Sequence, residues 1–137
     1  MRHRLLLAAF AVPMLVLASC GDDSDDDASD ASTSIAATAS DFKFEPDSWT
    51  VSAGEEFSVE FTNEGSVEHE WAVLNLGDDI DAEADFAEGK VMFEIEAVPA
   101  GESTTQRFTV DEAGAYQVIC AVTSHFDAGM EGTLTVE

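Results

Sequence analysis

From Asp41 to Glu137, apolar residues fall on alternate positions in short runs, and a turn signal closes nearly every run. Phe42 and Phe44 alternate before Pro46, Trp49 and Val51 before Ser52-Ala53-Gly54, and Phe57, Val59 and Phe61 before Asn63-Glu64-Gly65. Trp71 and Val73 share one face of the next run, with Ala72, Leu74 and Leu76 on the other. Val91, Phe93, Ile95 and Ala97 alternate up to Pro99 and Gly101, and Phe108 and Val110 precede Glu112-Ala113-Gly114. Tyr116, Val118 and Cys120 line one face of a further run, and Leu134 and Val136 finish the chain on alternate positions. Successive side chains of a strand point to opposite faces, so period two marks strands with one buried face, and regular turns between them mark antiparallel connections. The pattern predicts one all-β domain over residues 41–137, a sandwich of about eight strands. Only Gly77 to Gly89 departs from it. There Ile80, Ala84 and Ala87 stand at near-helical spacing, which predicts one short acidic helix or a loop crossing the sandwich.

The chain before this domain has a different character. Arg2 and Arg4 precede an apolar run from Leu5 to Leu17, broken only at Pro13, and small residues follow, which is the pattern of a secretory signal peptide. The run falls short of the roughly 20 residues that span a bilayer as a helix. Its ending, Leu17-Ala18-Ser19-Cys20, resembles a prokaryotic lipoprotein box and implies cleavage before Cys20, with a lipid on the Cys20 thiol. The plainer alternative is an ordinary secretory signal with Cys20 incidental. Residues 20–40 are rich in Asp, Ser, Thr and Ala with one large apolar residue, Ile35, a composition expected to stay disordered as an acidic tether. The expected location is outside the cytoplasm, on the outer or periplasmic face of the membrane.

Once Cys20 is acylated, Cys120 is the only free thiol of the mature chain, so the cysteine count argues against a disulfide scaffold. Cys120 opens a C-x4-H-x4-M series with His125 and Met130. A thiolate, an imidazole and a thioether on one loop are an incomplete set of copper ligands; a His2Cys site with a weak Met is the blue-copper arrangement. With His3 in the leader, His69 is the one remaining histidine to complete the set. Taken singly, each residue has a blander reading: Cys120 a buried strand cysteine, His69 a surface histidine between Glu68 and Glu70, His125 a loop residue, Met130 a core filler. Met92, inside an alternating run, is expected to pack rather than to ligate.

These motifs together resemble the cupredoxins, the plastocyanin and azurin group of small blue copper proteins. The resemblance rests on F-x-F-x-P from Phe42, the Asn63-x5-His69 element, and Y-x-V-x-C running into C-x4-H-x4-M and G-T-L-x-V. It implies a Greek-key β-sandwich holding one type 1 copper ion. Cys120, His69 and His125 would form a trigonal plane with Met130 as a long axial ligand, and no residue would be catalytic. It also implies one-electron transfer with redox protein partners, such as cytochromes or oxidase complexes, with His125 beside Phe126 and Gly129 as the electron port. Two departures stand out. The family often pairs an Asn after the first His with a Ser or Thr after the Cys, where this chain has Glu70 and Ala121; and Thr123-Ser124 replaces the usual Pro-Gly before the second His.

After Cys20 the basic residues are Lys43, Lys90 and Arg107, against 29 acidic ones, for about −26 on the mature chain. Such a balance disfavours nucleic acid and bare anionic lipid as partners, leaving the lipid anchor as the expected membrane link of a monomer. It fits a halophilic surface screened by salt, and equally an acidic carrier docking on a basic partner. Two alternatives to the electron carrier use the same residues: a copper-binding or copper-delivery protein, and a cysteine enzyme pairing Cys120 with a histidine base, for which Asp127 is the nearest orienting group.

Overall fold

A computed structural model describes residues 33–137; the expected leader, Cys20 and the first part of the acidic segment lie outside the described residues. Nine strands form two packed sheets: β1 (Thr33–Ser40), β2 (Lys43–Glu45), β3 (Ser48–Val51), β4 (Glu56–Asn63), β5 (His69–Leu74), β6 (Val91–Val98), β7 (Ser103–Thr109), β8 (Gly114–Ile119) and β9 (Glu131–Val136). One sheet has the order β2-β1-β4-β7, the other β3-β9-β8-β5-β6. Most neighbours are antiparallel, but β1 runs parallel to β4 and β3 parallel to β9, so both sheets are mixed. The fold is a β-sandwich, as the alternation predicts, with one strand more than the eight expected and with the Greek-key arrangement that the resemblance implies.

Residues 33–40, expected as the end of a disordered tether, form β1 instead. They pair with β4 over seven positions, from Thr33 opposite Phe57 to Ala39 opposite Asn63. Ala37 and Ala39 are fully buried, so their methyl groups on alternate positions belong to the core. The domain therefore begins eight residues before the first phenylalanine pair suggests.

The inward faces build one core. Phe44, Trp49, Phe57, Phe61, Trp71, Ile95 and Leu134 are buried in it, and Met92 packs against it, as expected. Trp49 and Trp71 meet edge to face at 5.4 Å, and the Trp49 indole N–H donates to the Ala36 carbonyl at 2.9 Å, tying β3 to β1 across the sandwich. Trp71 and Val73 face this core while Ala72 and Leu74 face the other way into a second cluster with Ile80 and Ile119, so β5 is buried on both faces. What covers that outer face is the segment between β5 and β6. It holds two single turns of 3-10 helix, Glu83–Asp85 and Glu88–Lys90, where the sequence predicts a short acidic helix or loop. Ile80 is its apolar anchor. The Gln117 side chain fixes the anchor from β8, accepting from the Ile80 N–H at 2.8 Å and donating to the Ile80 carbonyl at 3.0 Å.

Candidate metal centre

Three strand ends converge at one pole of the sandwich. His69 opens β5, Cys120 follows directly on β8, and Met130 directly precedes β9. The β8–β9 ladder carries Ile119 opposite Glu131 and is extended by the Cys120 N–H donating to the Met130 carbonyl at 3.2 Å. His125 lies on the loop between them. Its N–H donates to the Val122 carbonyl at 3.0 Å, and its carbonyl accepts from Met130 at 3.1 Å, which folds the loop back on itself. The ligand spacing read from the sequence thus becomes a spatial cluster because two strands and one tight loop share an end.

The cluster is dense. His69 Nδ1 and His125 Nδ1 lie 3.2 Å apart, and Cys120 Sγ lies 3.3 Å from His125 Nδ1 and 3.9 Å from His69 Nδ1. The candidate ligand atoms of the three residues all fall within 4.8 Å of one another. His69, Cys120 and Met130 are fully buried, and His125 is 7% exposed. Two imidazole nitrogens and a sulfur facing one point, beside a buried thioether, are the donor set that copper takes. Burial pushes the Cys120 thiol up to about 11 in the metal-free protein, against the Glu70 and Val122 backbone N–H groups, which favour the thiolate. The Glu70 N–H reaches Sγ at 3.3 Å, so the backbone supplies a bond to the sulfur where Glu70 and Ala121 leave no side-chain pair. Burial first, and His69 second, lower the pKa of His125.

The surrounding polar groups brace the histidines. Asn63, fully buried, donates to the Val67 and Val98 carbonyls at 2.7 Å each and accepts from the Gly65 N–H at 2.8 Å, fixing the turn that leads into His69. Glu83 and the ligand loop clamp each other: the Glu83 carboxylate accepts from the Ser124 N–H, and the Asp127 carboxylate accepts from the Glu83 N–H at 2.9 Å. Ser124 sits at φ +72, a left-handed conformation where the family's loop often has Gly. Asp127 is thereby committed to Glu83, not to a histidine base as the cysteine-enzyme reading needs.

Phe42 departs from its expected place beside Phe44. The chain turns at φ +68 there, leaving Phe44 buried while Phe42 stands 45% exposed with its ring edge-on to His125 at 5.2 Å. Next to it, Asp41 reaches His69 Nε2 at 3.4 Å. The Ser66 hydroxyl and N–H, and then His69, hold the Asp41 carboxyl below its ordinary range. Neither contact was foreseen from the sequence.

The comparisons with known proteins agree with this geometry. Residues 31–137 match the family described as copper binding proteins, plastocyanin/azurin family. The chain belongs to the plastocyanin/azurin family of copper-binding proteins. It is 40% identical over 103 residues to plastocyanin of Dryopteris crassirhizoma, covering 70% of this chain and 89% of that protein. It is 32% identical over 94 residues to auracyanin-B of Chloroflexus aurantiacus, covering 57% of this chain but only 40% of the longer auracyanin-B. A solved auracyanin B structure superposes with a TM-score of 0.66 at 27% identity, over 77% of this chain and 88% of that one. His69, Cys120, His125 and Met130 therefore form a type 1 copper-like site in a cupredoxin.

Proposed function

We propose that the protein is a one-electron carrier, held at the outer face of a membrane through lipidated Cys20, that exchanges electrons with redox protein partners. The observation that carries the reading is the convergence of His69 Nδ1, His125 Nδ1 and Cys120 Sγ at a buried pole with one histidine at its rim. Bound copper supplies a couple between Cu(I) and Cu(II). The chain's part is to hold the donors still. His69 and Cys120 are seated on a ladder of antiparallel strands, and His125 and Met130 are locked to each other by the loop's own backbone bond, so a change of charge at the site meets a frame that does not rearrange. Met130 serves as the fourth, weaker donor.

His125 is the route out. It is the only one of the four with any exposure, and the segments flanking the histidines carry Phe42 and Val67, two of the three large apolar side chains that stand open among the described residues. The exposed Phe42 ring against a nearly buried imidazole lets a partner approach closely and exclude water, while the acidic surface around it selects a basic docking face.

The test is optical. The full chain loaded with Cu(II) should show an intense visible thiolate band that bleaches with a mild reductant and returns on reoxidation. Cys120→Ser should lose the band and keep the β-sheet circular dichroism. A colourless protein that passes copper rapidly to a chelator without a reversible cycle would instead identify a copper-delivery protein.

A further inference from the structure

Two consecutive residues of the β1–β2 turn meet the two histidines of the site. Phe42 lies against His125, and Asp41 lies against His69. The Asp41 contact is built from several parts. Its Oδ1 accepts from the Ser66 N–H at 2.8 Å and its Oδ2 from the Ser66 hydroxyl at 2.7 Å, which fixes the carboxylate plane, and the same Oδ1 faces His69 Nε2 at 3.4 Å. Gly65 makes the approach feasible. A Cβ on Gly65 would lie 2.5 Å from Asp41 Oδ1 and 2.6 Å from His69 Nε2, nearer than real atoms come, so any side chain there would push the pair apart. His69 is fully buried, and its outer nitrogen needs an acceptor for its proton.

We propose that Asp41 is a positioning residue that holds His69 as its Nε2–H tautomer, presents Nδ1 to the copper, and biases the site toward Cu(II). An imidazole that donates its second N–H to a carboxylate is oriented and made more basic, and such outer partners typically matter 10- to 100-fold in metal affinity. Added electron density on a ligand favours the higher oxidation state. His125 has no carboxylate hydrogen-bonded to it among the described residues; it meets the Phe42 ring edge. The two histidines are therefore unequal in their direct contacts, His69 hydrogen-bonded to a carboxylate and His125 set against an aromatic ring.

The competing explanation is that Asp41 only braces the 63–69 turn through Ser66. Asp41→Asn separates the two, since the amide keeps the shape and can still bond both Ser66 groups, its oxygen accepting from the N–H and its NH2 donating to the hydroxyl oxygen, but it carries no charge. Asp41→Asn should stay folded and blue, with the Cu(II)-over-Cu(I) preference falling about tenfold, read as a reduction potential higher by about 59 mV at fixed pH. A second readout needs no copper. In the metal-free parent, 15N NMR should place the His69 proton on Nε2, and Asp41→Ala should lose that bias. An Asp41→Asn protein with the parental potential, or an Asp41→Ala protein with an unchanged tautomer, would overturn the proposal. The inference rests on the copper reading, and the two fail separately: a parent without a blue band removes that reading, whereas a blue parent indifferent to Asp41→Asn removes only this one.

Discussion

A thiol raised to about 11 is protonated at neutral pH, so a metal that takes Cys120 as thiolate must displace one proton. His125 is shifted the other way, so its own proton does not compete in the same range. Apparent copper affinity should therefore rise about tenfold per pH unit between pH 6.5 and 8.5, measured by competition with a chelator of known protonation. A flat profile would mean that the Glu70 and Val122 N–H groups already hold a thiolate. The ligands behind this prediction were legible in the sequence because thiol, imidazole and thioether are scarce in it, and scarcity makes coincidence hard. Asp41 was not legible. Acidic residues are everywhere in this chain, and nothing in Asp41 distinguishes it from its neighbours until the turn at Phe42 brings it 28 residues across to His69. Gly65 gave a turn signal, but its closeness to His69 Nε2 exists only in three dimensions.

The segment between β5 and β6 links the cover of the outer sheet face to the ligand loop. Ile80 seats it in the second apolar cluster, and Glu83 reaches from it to Ser124. Glu83→Ala removes the acceptor that satisfies Ser124 in its left-handed conformation and should cost about 1 kcal/mol in the metal-free protein. Glu83→Gln keeps an acceptor oxygen and should cost less. Thermal melts of the two variants beside the parent decide it, and equal losses would show that charge, not the bond, holds the loop. Periodicity exposed this segment as a break in the strand pattern, yet not its partner, because Glu83 and Ser124 are 41 residues apart. At β1 the pattern misled. Thr33–Ser40 has the period-two placement of Ile35, Ala37 and Ala39, but its small residues resemble the acidic linker before it. Small side chains there are part of the core rather than a mark of disorder, since Ala37 and Ala39 are fully buried.

Across the whole molecule, charge of one sign dominates. Residues 33–137 carry 23 acidic side chains against Lys43, Lys90 and Arg107, about −20 on a compact body. Raising NaCl from 0.1 M to 1 M shortens the screening length from about 10 Å to about 3 Å and quiets most of this repulsion. The melting temperature should rise accordingly, by about 4–8 °C for each kcal/mol relieved in a domain of this size. A variant with Asp78, Asp79, Asp81 and Asp85 changed to Asn should lose part of that salt dependence; full retention would move the cause away from this loop. Sulfate at matched ionic strength separates screening from general salting effects on burial. The direction of β1 bears on a different question, that of which way the molecule faces. The strand ends at Ser40, next to the turn residue Asp41 that meets His69, and it starts at Thr33, paired with Phe57 at the far end of β4. Eight residues at about 3.3 Å each put roughly 25 Å between those ends. Thr33, where the described residues begin, thus lies at the pole opposite the histidines, so an attachment made through that end would be made away from the rim where His125 stands.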